Sequence, residues 1–366
     1  MRISATVLRD VDARPAAEEI DLEDPRPHEV RVRLASSGIC ATDVHAAGLV
    51  YAGMLDLPVV LGHEGAGVVE AVGDRVDRVA VGDHVAMVFD SCGTCHHCVR
   101  NAPSYCATFD DRNFGGGRLD GSTSLSAPDG GAIGSHFLGQ SAFATHSVVS
   151  QRSVVKIDPD IPLDVVGPFG CGIMTGAGAV LNELAPPVGS TIAVFGAGTV
   201  GLAGVMAARL AGCAEIVAVD LSPERLEVAR RVGATQVVDA GADDVAGAVR
   251  DLVPGGVGFS LDTTGLARVV ASAVAALAPR GRCGVVGVGA DQTMELDWRT
   301  MLAGRSVMGI TSGSAAPDVF LPELLTLHRA GRFPVDELVT YYPFAQFDQA
   351  LADSRSGTVV KAVLTY

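Results

Sequence analysis

The chain is short of positive charge. Twenty-seven Lys and Arg stand against 42 Asp and Glu, a formal net charge of −15, and no run resembles the basic stripe that a phosphate backbone demands, so nucleic acid is excluded as a partner. Long apolar runs are also missing. The window 193–208 is broken by glycines and ends at Arg209, short of the roughly 20 residues a membrane helix needs. Met1–Thr6 lacks the apolar stretch of a secretory signal, and there is no internal repeat. These absences lead to the expectation of a cytoplasmic protein with no membrane partner. A reducing compartment favours free or metal-bound cysteines over disulfides.

What is present begins with Cys92, Cys95, Cys98 and Cys106, separated by two, two and seven residues. Short Cys-x-x-Cys turns aim successive sulfurs at one point, and four thiolates complete a tetrahedral structural zinc site. The alternatives are two disulfides or four unrelated buried thiols.

At 366 residues with 44 glycines, the chain suits two α/β domains rich in turns. Residues 1–160 carry short strand-like segments between Gly, Pro and Asp turns, which predicts a barrel-like β-rich domain. Residues 110–135 hold enough Gly, Asp and Ser to predict a long surface loop. After residue 165 the pattern changes. Apolar Thr191–Phe195 is followed by a glycine turn, a helix over 200–210, a strand from 215 to 219, and further alternation: helix 223–232, strand 235–239, helix 243–253, strand 258–262, helix 266–278 and strand 282–288. Apolar strands alternating with helices imply a parallel sheet covered on both faces, a doubly wound nucleotide-binding domain.

Gly196-Ala197-Gly198-Thr199-Val200-Gly201 fits GxGxxG between such a strand and helix. The first glycine permits the turn, the second lets backbone approach a pyrophosphate, and the third lets the helix sit against the sheet. Asp220 ends the next strand, about 20 residues on, where a carboxylate accepts the ribose hydroxyls and repels a 2′-phosphate. The implied cofactor is NAD. Arg225 is either placed over the adenosine phosphate side or a solvated helix residue.

Three more places carry ligand types: Cys40-Ala41-Thr42-Asp43-Val44-His45, Gly62-His63-Glu64, and Gly170-Cys171-Gly172. Spacing alone does not join them. In this order, with the cysteine lobe and the glycine turn, they resemble the zinc-dependent medium-chain alcohol dehydrogenases over nearly the whole chain. The segments 169–180, 112–116 and 136–141 look most like the bacterial aryl (benzyl) alcohol dehydrogenase branch, whose relatives include terpenoid alcohol dehydrogenases such as those for geraniol. The resemblance implies a GroES-like catalytic domain (1–172) with its zinc lobe at 91–106, a Rossmann domain (173–311) and a return segment (312–366). It implies two zinc ions per chain, one held by Cys40, His63 and Cys171, the other by the four-cysteine lobe. Three ligands leave a position where an alcohol loses its proton more easily than in water, with hydride passing to NAD.

By the same resemblance Thr42 accepts the alcohol proton, His45 relays it outward, Asp43 orients His63, and Glu64 is a carboxylate near the metal. Lys361 is placed at the cofactor phosphate or is otherwise a charged strand residue, and Ala41 replaces a basic residue common in relatives at that phosphate. Phe143, Val288 and Thr311 are placed at the substrate cleft, Val288 also beside the cofactor; each is alternatively core. The implied activity is interconversion of primary aromatic or allylic alcohols and aldehydes by a homodimer or homotetramer. Alternatives are a thiol-dependent formaldehyde dehydrogenase, with Arg112 and Arg118 as candidate grips for an anionic thiol, and a non-enzymatic zinc- and nucleotide-binding protein. His96 and His97 are expected in solvent, Cys213 and Cys283 as buried hydrophobes.

Overall fold

The computed structural model describes residues 1–289 and 293–366. The chain divides into two compact units, one formed by Met1–Cys171, Ala316–Thr326 and Val339–Tyr366, the other by Gly172–Ala315 and Leu327–Leu338. Residues 327–338, placed by the sequence reading in the return segment, therefore group with the second unit.

In the first unit, strand Glu29–Gly38 is the organising element. Val30, Val32 and Leu34 point into a core with Val69, Val85, Met87 and Val149, while Arg31 and Arg33 alternate outward to Asp24 and Glu70. This period of two is that of a strand buried on one face. It pairs antiparallel with Gly65–Val72, His146–Ser150 and the late strand Lys361–Thr365. Its register against Gly65–Val72 shifts twice, between Arg31 and Val32 and between Leu34 and Ser36. Gly67 serves this irregularity, because a Cβ there would lie 2.1 Å from the Arg33 carbonyl oxygen.

The stretch expected as a long loop is partly paired. It opens with helix Phe109–Asn113 and includes strands Leu125–Ser126 and Ala132–Ile133, which extend the sheet beside Ala16–Leu22. Arg118 is half-buried there, its guanidinium donating to both oxygens of Glu29 at 2.6 and 3.0 Å. A bidentate charge-assisted contact fixes geometry as well as energy, so this stretch is tied to strand Glu29–Gly38.

The second unit holds a six-stranded sheet in the order 236–239, 215–220, 191–195, 257–262, 277–285, 306–309, with every pairing parallel. Helices Thr199–Leu210, Pro223–Val232, Val245–Leu252 and Ala267–Ala275 connect successive strands. This is the doubly wound order whose switch point lies at the first strand. Among the described residues no single helix is long and apolar enough to cross a membrane.

Candidate active site

The register shifts bring Ser37 opposite Gly65, and Gly38 N–H donates to the Glu64 carbonyl at 3.0 Å. Cys40 leaves one strand just where His63 and Glu64 enter its partner. A third segment, Leu163–Cys171, crosses these ends, and glycines permit its approach: a Cβ on Gly167 would stand 2.3 Å from the Glu64 carbonyl oxygen, and one on Gly170 2.0 Å from that of Met87. Cys171 arrives beside Cys40, and the ligand atoms of Cys40, His63, Glu64 and Cys171 all lie within 4.8 Å of one another.

The donor set fits zinc. Nε2 of buried His63 has no hydrogen-bond partner, while Nδ1 faces Asp43 Oδ1 at 3.1 Å. A carboxylate on one ring nitrogen fixes the tautomer and presents the other as a lone pair. Asp43 also accepts from the backbone N–H groups of Cys40 (2.9 Å) and Gly62 (3.0 Å), joining both ligand segments. Contact with Cys171, and then with His63, holds the Cys40 thiol well below the usual thiol range.

Glu64 is fully buried, and Lys361 departs from the position expected of it. Its ammonium donates to Glu64 Oε1 (2.9 Å), Glu64 Oε2 (2.8 Å) and the Ile39 carbonyl (2.9 Å). All three of its N–H bonds are committed, which leaves none for a cofactor phosphate. Gly38 makes room for the pair, since a Cβ there would lie 2.0 Å from Glu64 Oε2.

Thr42 follows in a short helical turn, half-buried, with Oγ1 3.8 Å from Cys40 Sγ. His45 closes that turn and is exposed. Phe143 is buried, 1% exposed, with its ring 5.1 Å from that of Phe347. Val288 and Thr311 are exposed on the other unit.

In the cysteine lobe the sulfurs of Cys92, Cys95, Cys98 and Cys106 also lie within 4.8 Å of one another. All eight cysteines are thiols, so the disulfide alternative falls. Backbone N–H groups of Thr94 (3.4 Å) and Cys95 (3.2 Å) point at Cys92 Sγ. Burial pushes that thiol up, but these donors outweigh it and hold Cys92 at about 5, the preparation a metal thiolate needs. His96 and His97 are exposed. Cys283 is buried and Cys213 half-buried, and burial pushes both thiols up to about 11.

In the second unit Gly196 has φ +94°. A Cβ on Gly201 would stand 1.8 Å from the Gly196 carbonyl oxygen, whereas one on Gly198 would meet nothing within 4 Å. Thr199 and Val200 open the helix behind Gly198, leaving open space ahead of a helix N-terminus, the cradle a pyrophosphate fills. Asp220 Oδ2 accepts from Ala197 N–H at 2.6 Å and Oδ1 from Ser222 N–H at 2.9 Å, which puts the carboxylate against the glycine turn. Arg225 Nε is buried without a partner.

Sequence reasoning missed the brace beneath this turn. Thr263 Oγ1 donates to the carbonyls of Phe195 and Gly196, and buried Asp262 accepts from Thr264 and Gly265. Gln140, within the 136–141 segment quoted above, was missed as well.

Residues 26–159 match the alcohol dehydrogenase GroES-like domain and residues 199–327 the zinc-binding dehydrogenase domain. The chain is 41% identical to geraniol dehydrogenase of Castellaniella defragrans over 99% of its own length and 97% of the relative's. Among solved structures it is similar to an alcohol dehydrogenase zinc-binding domain protein from Burkholderia ambifaria (43% identity, TM-score 0.96). It is similar also to benzyl alcohol dehydrogenase from Acinetobacter calcoaceticus (36%, TM-score 0.94); each comparison covers 100% of this chain and 99% of the other. The chain belongs to the zinc-dependent medium-chain alcohol dehydrogenases. It is an alcohol oxidoreductase whose cofactors are zinc and NAD, acting between small alcohols and aldehydes.

Proposed function

We propose that the chain interconverts primary allylic or aromatic alcohols and their aldehydes with NAD at the Cys40–His63–Cys171 site. One observation carries this reading: a buried His63 Nε2 without a partner aims among two thiols beside a half-buried Thr42 hydroxyl. Zinc held there by Cys40, His63 and Cys171, a second ion being held by the four-cysteine lobe, supplies Lewis acidity that makes an alcohol hydroxyl easier to deprotonate. Thr42 Oγ1 would accept the hydroxyl proton while releasing its own toward the cofactor ribose hydroxyl, from which exposed His45 would pass it to water. Asp43 keeps His63 in one tautomer, and Asp220 accepts the ribose hydroxyls of NAD. NAD, when bound, would supply the acceptor for the hydride that leaves the carbinol carbon.

The names of the geraniol and benzyl alcohol relatives support the substrate class. The thiol-dependent formaldehyde alternative loses its candidate cations, because Arg118 is committed to Glu29 and Glu23 and Arg112 to Asp90. A panel of geranyl, cinnamyl, benzyl, aliphatic and secondary alcohols with NAD⁺ and NADP⁺, plus formaldehyde with glutathione or mycothiol, tests the reading. Higher kcat/KM on the thiol adduct than on any free alcohol would overturn it. We propose further a cytoplasmic homodimer or homotetramer paired through edge strand Ser306–Gly309, supported by exposed Trp298 and Leu302 nearby. Light scattering that finds a monomer removes the assembly.

A further inference from the structure

Four residues in the six from His136 to Ser141 have left-handed backbone: His136 (φ 62°), Leu138 (47°), Gly139 (75°) and Ser141 (57°). Outside glycine this conformation costs on the order of 1 kcal/mol per residue, so tertiary contacts must hold the turn. Those contacts converge on the chain that carries His63. Gln140, 1% exposed, donates from Nε2 to the His63 carbonyl at 2.7 Å and accepts at Oε1 from Gly65 N–H at 2.9 Å. The next residue but one, Ala142, donates its N–H to the Gly62 carbonyl at 2.8 Å. On the turn itself, Phe137 sets its ring edge-on to the His63 imidazole with centroids 5.6 Å apart.

A single primary amide thus grips both peptide planes that flank Glu64. The plane between residues 63 and 64 is set through the His63 carbonyl, and the plane between 64 and 65 through Gly65 N–H. Fixing both planes fixes the backbone angles of Glu64 and the direction in which His63 leaves the chain. Asp43 holds the ring end of the same residue, so the imidazole is constrained at both ends.

We propose that Gln140 is a positioning residue of the metal site, acting through the backbone of residues 63–65 to hold His63 Nε2 and Glu64 in register with Cys40 and Cys171. This rests on the reading of His63 as a ligand. Both ends of the Gln140 amide are taken up by backbone groups, and its loss lets the planes around Glu64 rotate. Partners of metal ligands typically alter metal affinity by about 10- to 100-fold.

The test uses the holoenzyme and its cobalt-substituted form with four variants. Gln140→Leu keeps the bulk but offers no hydrogen bond. Gln140→Asn keeps the amide one methylene short. Ser141→Ala removes two bonds of the same turn, Phe137 N–H to Ser141 Oγ and Ser141 Oγ–H to the Val60 carbonyl, without touching residues 63–65. His63→Ala checks the underlying assignment.

Expected for Gln140→Leu are a shifted visible absorption of the cobalt enzyme, about tenfold faster loss of one metal per chain to a chelator, and a lower kcat with KM for NAD unchanged. Gln140→Asn should fall between this variant and the wild type. Ser141→Ala should lose comparable thermal stability yet keep the wild-type spectrum and release rate. An unchanged spectrum and release rate in both Gln140 variants, or equal changes in Ser141→Ala, overturns the proposal. Wild-type metal content and spectrum in His63→Ala overturns the ligand reading beneath it, a result told apart because it comes from a different variant.

Discussion

Lys361 and Glu64, 297 residues apart in the chain, meet in a buried ion pair with Nζ to Oε2 at 2.8 Å and side chains 3% and 0% exposed. Removing one member strands the other charge in a low-dielectric interior, which costs about 3–5 kcal/mol, whereas removing both is often nearly neutral. Lys361→Met should therefore lower stability by that order in chemical denaturation, and Glu64→Gln/Lys361→Met should recover most of it. If the double variant is as unstable as the single one, the pair is not what Lys361 contributes.

Metal content separates the two sulfur sites. The purified protein should hold two zinc ions per chain, and Cys95→Ser should lose stability or solubility, because a closed four-thiolate lobe folds around its ion. Cys171→Ala should lose turnover and one zinc while keeping the fold. Metal analysis by mass spectrometry beside circular dichroism reads both; fully active enzyme with one zinc or none contradicts the assignment.

Cofactor choice turns on Asp220, whose carboxylate sits against the glycine turn. NAD⁺ should exceed NADP⁺ in kcat/KM, and Asp220→Ser should narrow the ratio by weakening NAD⁺ and removing repulsion of the 2′-phosphate. A wild-type preference for NADP⁺ would show the carboxylate reading to be wrong.

An acid-sensitive spot lies at His136. Nδ1 is 2.6 Å from Ser135 Oγ and Nε2 3.9 Å from Glu29 Oε1. Burial, helped by Arg118 and Arg26, outweighs Glu29 and pushes the imidazole down to about 4. With the folded value below the unfolded one, near 6.5, the unfolded chain binds more protons as pH falls. Stability is whole above about pH 6.5 and declines toward about pH 4, by up to about 3 kcal/mol. His136→Asn, which tolerates the left-handed backbone, should flatten that decline in urea titrations at pH 7, 6, 5 and 4. A slope unchanged by the substitution would place the acid sensitivity elsewhere.

The second unit was legible because its signals are local. Apolar strands, the glycine turn and Asp220 each announce themselves within a few residues, and helix 223–232 falls where its pattern puts it. The strand read as 282–288 runs instead from Leu277 to Val285, because it continues through the irregularity at Arg280, whose φ is +65°, and the Ala-rich 276–278 resembles helix. The first unit's site was not readable from spacing. Cys40 and His63 meet through a strand register with two shifts, Cys171 through glycines that let one segment lie on another, and Lys361 through a strand added last. Only the family pattern joined the ligands, and it assigned no role to Gln140 and no pairing of Lys361 with Glu64.

The proton path makes the most exposed prediction, since Thr42 and His45 have unremarkable surroundings by themselves. Thr42 Oγ1 stands 3.8 Å from Cys40 Sγ, and His45 lies three residues on, exposed at the end of the turn. If the hydroxyl takes the alcohol proton, Thr42→Ala should remove most turnover while Thr42→Ser, which keeps the oxygen, retains much of it. His45 touches none of the ligand atoms, so His45→Gln should leave zinc content unchanged and slow alcohol oxidation most near and below neutral pH. Small exogenous bases such as imidazole should restore part of that loss, because they carry the same proton to water. Steady-state pH profiles with and without added base, beside metal analysis, decide the matter. Full activity in Thr42→Ala, or loss of zinc in His45→Gln, would leave hydride transfer without a named proton acceptor and return both residues to a structural role.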